Sequence, residues 1–80
     1  MNDSDILETV NRLAAEEHDL ETKADRTALS ERERARLHKI EDGLDQCWDL
    51  LHQRRARRAA GLGPDEVKVR DVKTVQHYQQ

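Results

Sequence analysis

The chain has no phenylalanine, and only one tryptophan, one tyrosine, one methionine, one cysteine and one proline among its 80 residues. So few large apolar side chains leave a lone copy near the lower limit for a self-sufficient core. Hydrophobic residues make up 35% of the chain and charged ones 39%. Ordering costs about 1–2 kcal/mol per residue, which this composition opposes only weakly. Disorder and association are the two ways out. The apolar residues recur periodically, and that favours association.

Other absences narrow the function. A single Cys47 excludes an intrachain disulfide. No apolar run reaches transmembrane length, and "MNDSDILETV" is too acidic and polar for a secretory leader. Asn2 also removes a myristoylation signal. The chain therefore reads as cytoplasmic, with no membrane partner. It holds no CxxC, HExxH, GxGxxG or P-loop. A small helical protein offers little concavity for a reacting pocket, so we expect no enzyme, no catalytic residue, no cofactor and no metal site. His38 with Asp42, and Asp49 with His52, have the spacing of ordinary helix-surface pairs.

Charge is present in both signs but is unevenly placed. Residues 1–29 carry eight acids and three bases, whereas residues 30–60 carry six acids and eight bases. Binding to polyanions by bulk charge is excluded at a net charge of −3, so any such activity must be local.

Two helices follow from the periodicity. The first, about 4–27, starts at a cap supplied by Asp3 or Ser4. Ile6, Val10, Leu13, Glu17, Leu20 and Ala24 then form a heptad seam, which Leu7 and Ala14 widen. Glu17 is out of keeping with a dry seam and reads as a rim carboxylate. The second helix, about 30–60, opens on the capping box "SERE", with Ser30 and Glu33 as its reciprocal partners. Leu37, Ile40, Leu44, Cys47 and Leu51 carry its seam on to Arg54 and Arg58, and Gly61, Gly63 and Pro64 end it. A short connection predicts an antiparallel hairpin over residues 1–61. With the turn near residue 28, Leu13 meets Leu44, Val10 meets Cys47, and Asp3 meets Arg54. Residues 62–80 form a C-terminal arm. "EVKVRDV" alternates like an extended segment, so we expect a mostly irregular or extended arm that lies across apolar surface, with one helical turn from Asp71. Val72, Val75 and Tyr78 give that arm an apolar side.

The apolar arc of the second helix is about 160° wide at 100° per residue, too wide for one partner helix. Trp48 and Leu50 mark its two margins. A second hairpin would cover the surplus, giving a homodimeric four-helix bundle with Trp48, Leu50, Cys47 and Leu51 at the interface. Cys47 reads as a small core hydrophobe. Arg54, Arg55, Arg57 and Arg58 support two readings. They finish a helix at its negative end, or they form a patch for an acidic protein or for RNA or DNA phosphates. The leading expectation is a non-enzymatic interaction or adaptor module. Nucleic-acid or ribonucleoprotein binding through the arginines is the alternative.

"EEHDL" at 16–20, "LDQCWDLLHQRRARRAAGLGPDE" at 44–66 and "TVQHYQQ" at the end together resemble an uncharacterised family of small actinobacterial proteins that carries a domain-of-unknown-function label. The resemblance covers nearly the whole chain and is most specific in the LDQCWDLL block. It implies no catalytic or binding residues. The family ends with Leu after the aromatic, where this chain has Gln79.

Overall fold

A computed structural model describes residues 1–79, with side chains through Gln76. Its elements are three helices, α1 (Asp3–Ala24), α2 (Glu31–Ala59) and α3 (Val72–Gln79). α1 and α3 each pack on α2. No helix is long and apolar enough to cross a membrane.

The cap of α1 is Asn2, not Asp3 or Ser4. Its side-chain oxygen accepts from the Asp5 amide at 2.9 Å, and the Asp5 carboxylate accepts from the Asn2 amide at 3.1 Å. Asn is as good a cap as Asp or Ser, and the reciprocal carboxylate three residues on decides between neighbouring candidates. The freed Asp3 points to α2. The expected capping box of α2 is present, with Glu33 N–H donating to Ser30 Oγ at 3.1 Å and Ser30 N–H donating to Glu33 at 2.9 Å. At its other end Gly61 adopts φ 75°, a left-handed conformation that an L side chain rarely takes. Leu62 N–H donates to the Arg57 carbonyl and Gly61 N–H to the Arg58 carbonyl, which closes α2 as a Schellman motif.

Ion pairs join α1 to α2 along their length: Asp3 with Arg54 and Arg58, Glu16 with Arg36, and Lys23 with Glu33. Ile6, Val10, Ile40 and Leu50 are buried, Ile40 completely. A Cβ built on Gly43 would lie 3.2 Å from Leu13 Cδ1, so this glycine lets the two helices approach closely. Glu17 is half-buried. Desolvation, then the charges of Glu21 and Glu41, push its carboxyl above the ordinary glutamate range.

Residues 62–71 lack helix, but α3 makes two turns, more than the single turn expected from Asp71. Asp71 starts it, accepting from Lys73 N–H on its carboxylate and from Val75 N–H on its carbonyl. Val75 is 1% exposed. Burying it on α2 favours a helix longer than that one turn. The side chains of Tyr78 and Gln79 lie outside the described residues.

Polar contacts hold the rest of the arm. Gln53 donates to the Lys68 carbonyl, Gln46 to the Arg70 carbonyl, and Gln76 to Asp42 and Asp45. Asp49 is buried and accepts from both Gln53 and Arg70. Leu50 lies one turn from both Gln46, which meets the arm, and Arg54, which meets α1, and it is buried, so its margin of the apolar arc is covered within one chain. That margin does not require a second copy.

Candidate functional site

Helical spacing divides the surface of α2 into three arcs. One, with Arg36, Ile40, Gly43 and Arg54, faces α1. A second, with Asp42, Gln46, Asp49 and Gln53, lies under the arm. The third carries Leu37, Glu41, Leu44, Trp48, Leu51 and Arg55. On this arc Leu37, Leu44 and Leu51 are half-buried, while Trp48 remains 44% exposed. Across from it on α1, Leu7 is 42% exposed. Leu7, Trp48 and Leu51 form the apolar side of a depression of about 180 Å³, and Asp3, His52, Arg55 and Arg58 complete its wall. A shallower depression of about 430 Å³ lies between α2 and the arm, lined by His52, Gln53, Ala56, Arg57, Glu66 and Arg70.

Of the four residues expected at an interface, the structure brings Trp48 and Leu51 together on this open face. Leu50 is buried within the chain. Cys47 is half-buried, and desolvation pushes its thiol above the ordinary cysteine range against a smaller opposing effect of the Arg12 charge. Its reactive thiolate is correspondingly disfavoured.

The arginines divide sharply. Arg54 is only 4% exposed. Its Nε donates to Asp3, and its Nη1 reaches the carbonyls of Met1 and Pro64 and the carboxylate of Asp65 at 2.8 Å. This one guanidinium ties the start of the chain and the base of the arm to α2, and it presents no free surface to a partner. Arg57 donates to the Gly63 carbonyl and to Glu66, and Arg58 donates to Asp3 at 2.9 Å. Hydrogen bonds from Arg58 and then Arg54 hold the Asp3 carboxyl below its usual range, and Arg54 does the same to Asp65. Arg55 is exposed and its side chain makes no ion pair or hydrogen bond among the described residues.

The opposition of Asp3 and Arg54 follows from the helical register. The roles of Asp65, Glu66 and Arg70 do not, because they lie beyond the helical register of α1 and α2, where alternation names no partner. For Asp65 and Glu66 the one signal is an acidic pair placed shortly after a run of cations.

His38 lies 3.7 Å from Asp42, the spacing of a surface pair. Asp49 turns toward the arm instead of toward His52. Among the described residues, no three His, Cys, Asp or Glu side chains are placed to hold a metal ion. The site thus offers an apolar ridge, an indole N–H and guanidinium donors. These groups suit burial against another surface.

The comparisons agree with the resemblance. Uncharacterized protein Rv0898c of Mycobacterium tuberculosis (strain ATCC 25618 / H37Rv) is 44% identical over 77 residues, covering 95% of this chain and 88% of the relative. Uncharacterized protein Mb0922c of Mycobacterium bovis matches with the same identity and coverage. No solved structure matches. A family model described as "Protein of unknown function (DUF2630)" spans residues 2–80, and the chain belongs to that family.

Proposed function

We propose that the chain is a non-enzymatic interaction module, an antiparallel helical hairpin whose copies pair into a four-helix bundle. The observation that carries this reading is the open face of α2. It sets Trp48, the one tryptophan, beside Leu7 at the surface although the chain has few large apolar residues to spare. A stable interface takes about 800 Å² from each partner. The broad face of the molecule, 50 by 25 Å, is large enough to supply it. Adaptor work toward a larger protein is compatible with such a dimer, whose outward surfaces remain free.

The arginine cluster supports a nucleic-acid role less well. Arg54, Arg57 and Arg58 already meet carboxylates of their own chain, and Asp3 and Glu66 would repel phosphates at the same place.

Sedimentation at micromolar concentration tests the proposal. We expect a dimer, and Trp48→Ala to weaken it by roughly 3–5 kcal/mol if the ring is buried in the assembly. A folded monomer at tens of micromolar would overturn the reading.

A further inference from the structure

The open arc of α2 has a charge pattern that matches itself in reverse. Glu41, Leu44, Trp48, Leu51 and Arg55 follow one another at steps of three and four, so they share one side of the helix. Glu41 and Arg55 each lie seven residues from Trp48, about 10 Å along the axis in opposite directions at 1.5 Å per residue. Both are exposed, and neither makes a side-chain ion pair or hydrogen bond among the described residues. Glu41 also stands near Glu17, whose ionisation its charge opposes.

We infer that the second copy lays its α2 against this one in the opposite direction, about a two-fold axis beside Trp48, so that Glu41 of each copy meets Arg55 of the other. The inference rests on the dimer reading above and specifies its register. A two-fold interface uses the same patch twice, so one complementary pair supplies two attractions. Parallel pairing in register would set Glu41 against Glu41 and Arg55 against Arg55, and like charges at those positions disfavour it. An acidic partner protein would satisfy Arg55 but face Glu41 with more carboxylates. A second copy satisfies both ends of the arc. The apolar centre then closes on itself, with Trp48 and Leu51 meeting their equivalents and Leu7 flanking them.

The test is charge reversal followed by sedimentation at low salt. Glu and Arg have similar helix propensities, so Glu41→Arg and Arg55→Glu leave α2 intact, which circular dichroism checks. Each single variant places two like pairs in the interface, and we expect its dimer dissociation constant to rise at least about tenfold. The double variant should return to within about threefold of the unmodified chain. An equimolar mixture of the two single variants should also recover the dimer, which shows that each remains folded and competent. If the unmodified chain dimerises but single reversals leave its affinity unchanged, or the double variant stays as weak as the singles, the register is wrong while the dimer stands. If the unmodified chain is a monomer, both readings fall.

Discussion

Glu17 occupies the centre of the inward face of α1, in line with Ile6, Val10 and Leu13, and it is half-buried there. Replacing it with leucine should stabilise the fold. Full burial of a leucine contributes about 1.5–3 kcal/mol, and half-burial roughly 1 kcal/mol. Glutamate and leucine have similar helix propensities, so that term nearly cancels. For a chain of this size each kcal/mol raises the melting temperature by about 4–8 °C. The glutamine variant isolates the charge. Desolvation first, then Glu21 and Glu41, raise the folded pKa of Glu17 above its unfolded value. Its ionised form therefore costs stability at neutral pH, and that cost disappears as the pH falls through the folded pKa toward the ordinary glutamate range. Glu17→Gln should melt above the unmodified chain at pH 7, and the difference should shrink to near zero around pH 4. Asp3, Glu16, Glu33 and Asp65 lose their stabilising ion pairs in acid, but they do so in both proteins and cancel in the comparison. Thermal melts followed by circular dichroism at several pH values, at one fixed concentration, provide the measurement. A leucine variant that melts no higher at pH 7, or a glutamine difference that persists unchanged in acid, would refute the reasoning.

Arg54→Lys keeps the charge but cannot fork between Asp3, Asp65 and two carbonyls, so amide exchange in α3, where Val75 N–H donates to the Asp71 carbonyl, should accelerate while the centre of α2 stays protected. Unchanged protection of α3 would show that the arm does not depend on the guanidinium. Ser30→Ala removes a cap worth about 1 kcal/mol and should lower the melting temperature by about 4–8 °C. Lys23, then the Ser30 amide, push the Glu33 carboxyl down to about 2. Its contribution to stability is therefore present above the ordinary glutamate range and is lost as the pH falls toward that value. Lys23→Ala should move the Glu33 titration up toward the ordinary range in carbon-detected NMR, and a titration that stays near 2 would assign the shift to the cap alone.

The parts legible in the residues are those governed by period and by local hydrogen bonding. The "SERE" box, the stop at Gly61 and the opposition of Asp3 and Arg54 all follow from spacing, and the structure places them accordingly. The start of α1 was one residue off because Asn2, Asp3 and Ser4 are all competent caps, and only the position of Asp5 separates them. In the arm the sequence reading and the structure differ only in the length of the terminal helix. Val67 and Val69, which alternate with charges, stay outside any helix, whereas Val72 and Val75, spaced by three, lie in α3, where Val75 is buried. Arg54 shows the limit of such spacing. Periodicity put it on the inward face of α2, but four arginines in five positions resemble a solvated patch. Only the converging partners Asp3, Met1, Pro64 and Asp65 reveal that this one is buried.

The ladder of ion pairs between α1 and α2 also sets an order of events in time. Lys23 and Glu33 are 10 residues apart, Glu16 and Arg36 are 20 apart, and Asp3 and Arg54 are 51 apart. Closing a ten-residue loop takes roughly 10–100 ns, and each longer closure costs more chain entropy unless a shorter one has already formed. The chain should therefore zip from the bend at residues 25–30 outward, with the Arg54 junction last and the arm seated only when it closes. In stopped-flow experiments Lys23→Ala should mainly slow folding, whereas Asp3→Asn should mainly speed unfolding. The opposite assignment would mean that the ends meet first. In the expected order, the residues that hold the two chain ends together act chiefly as a brake on unfolding, and the tight bend beside Ser30 sets how fast the molecule forms.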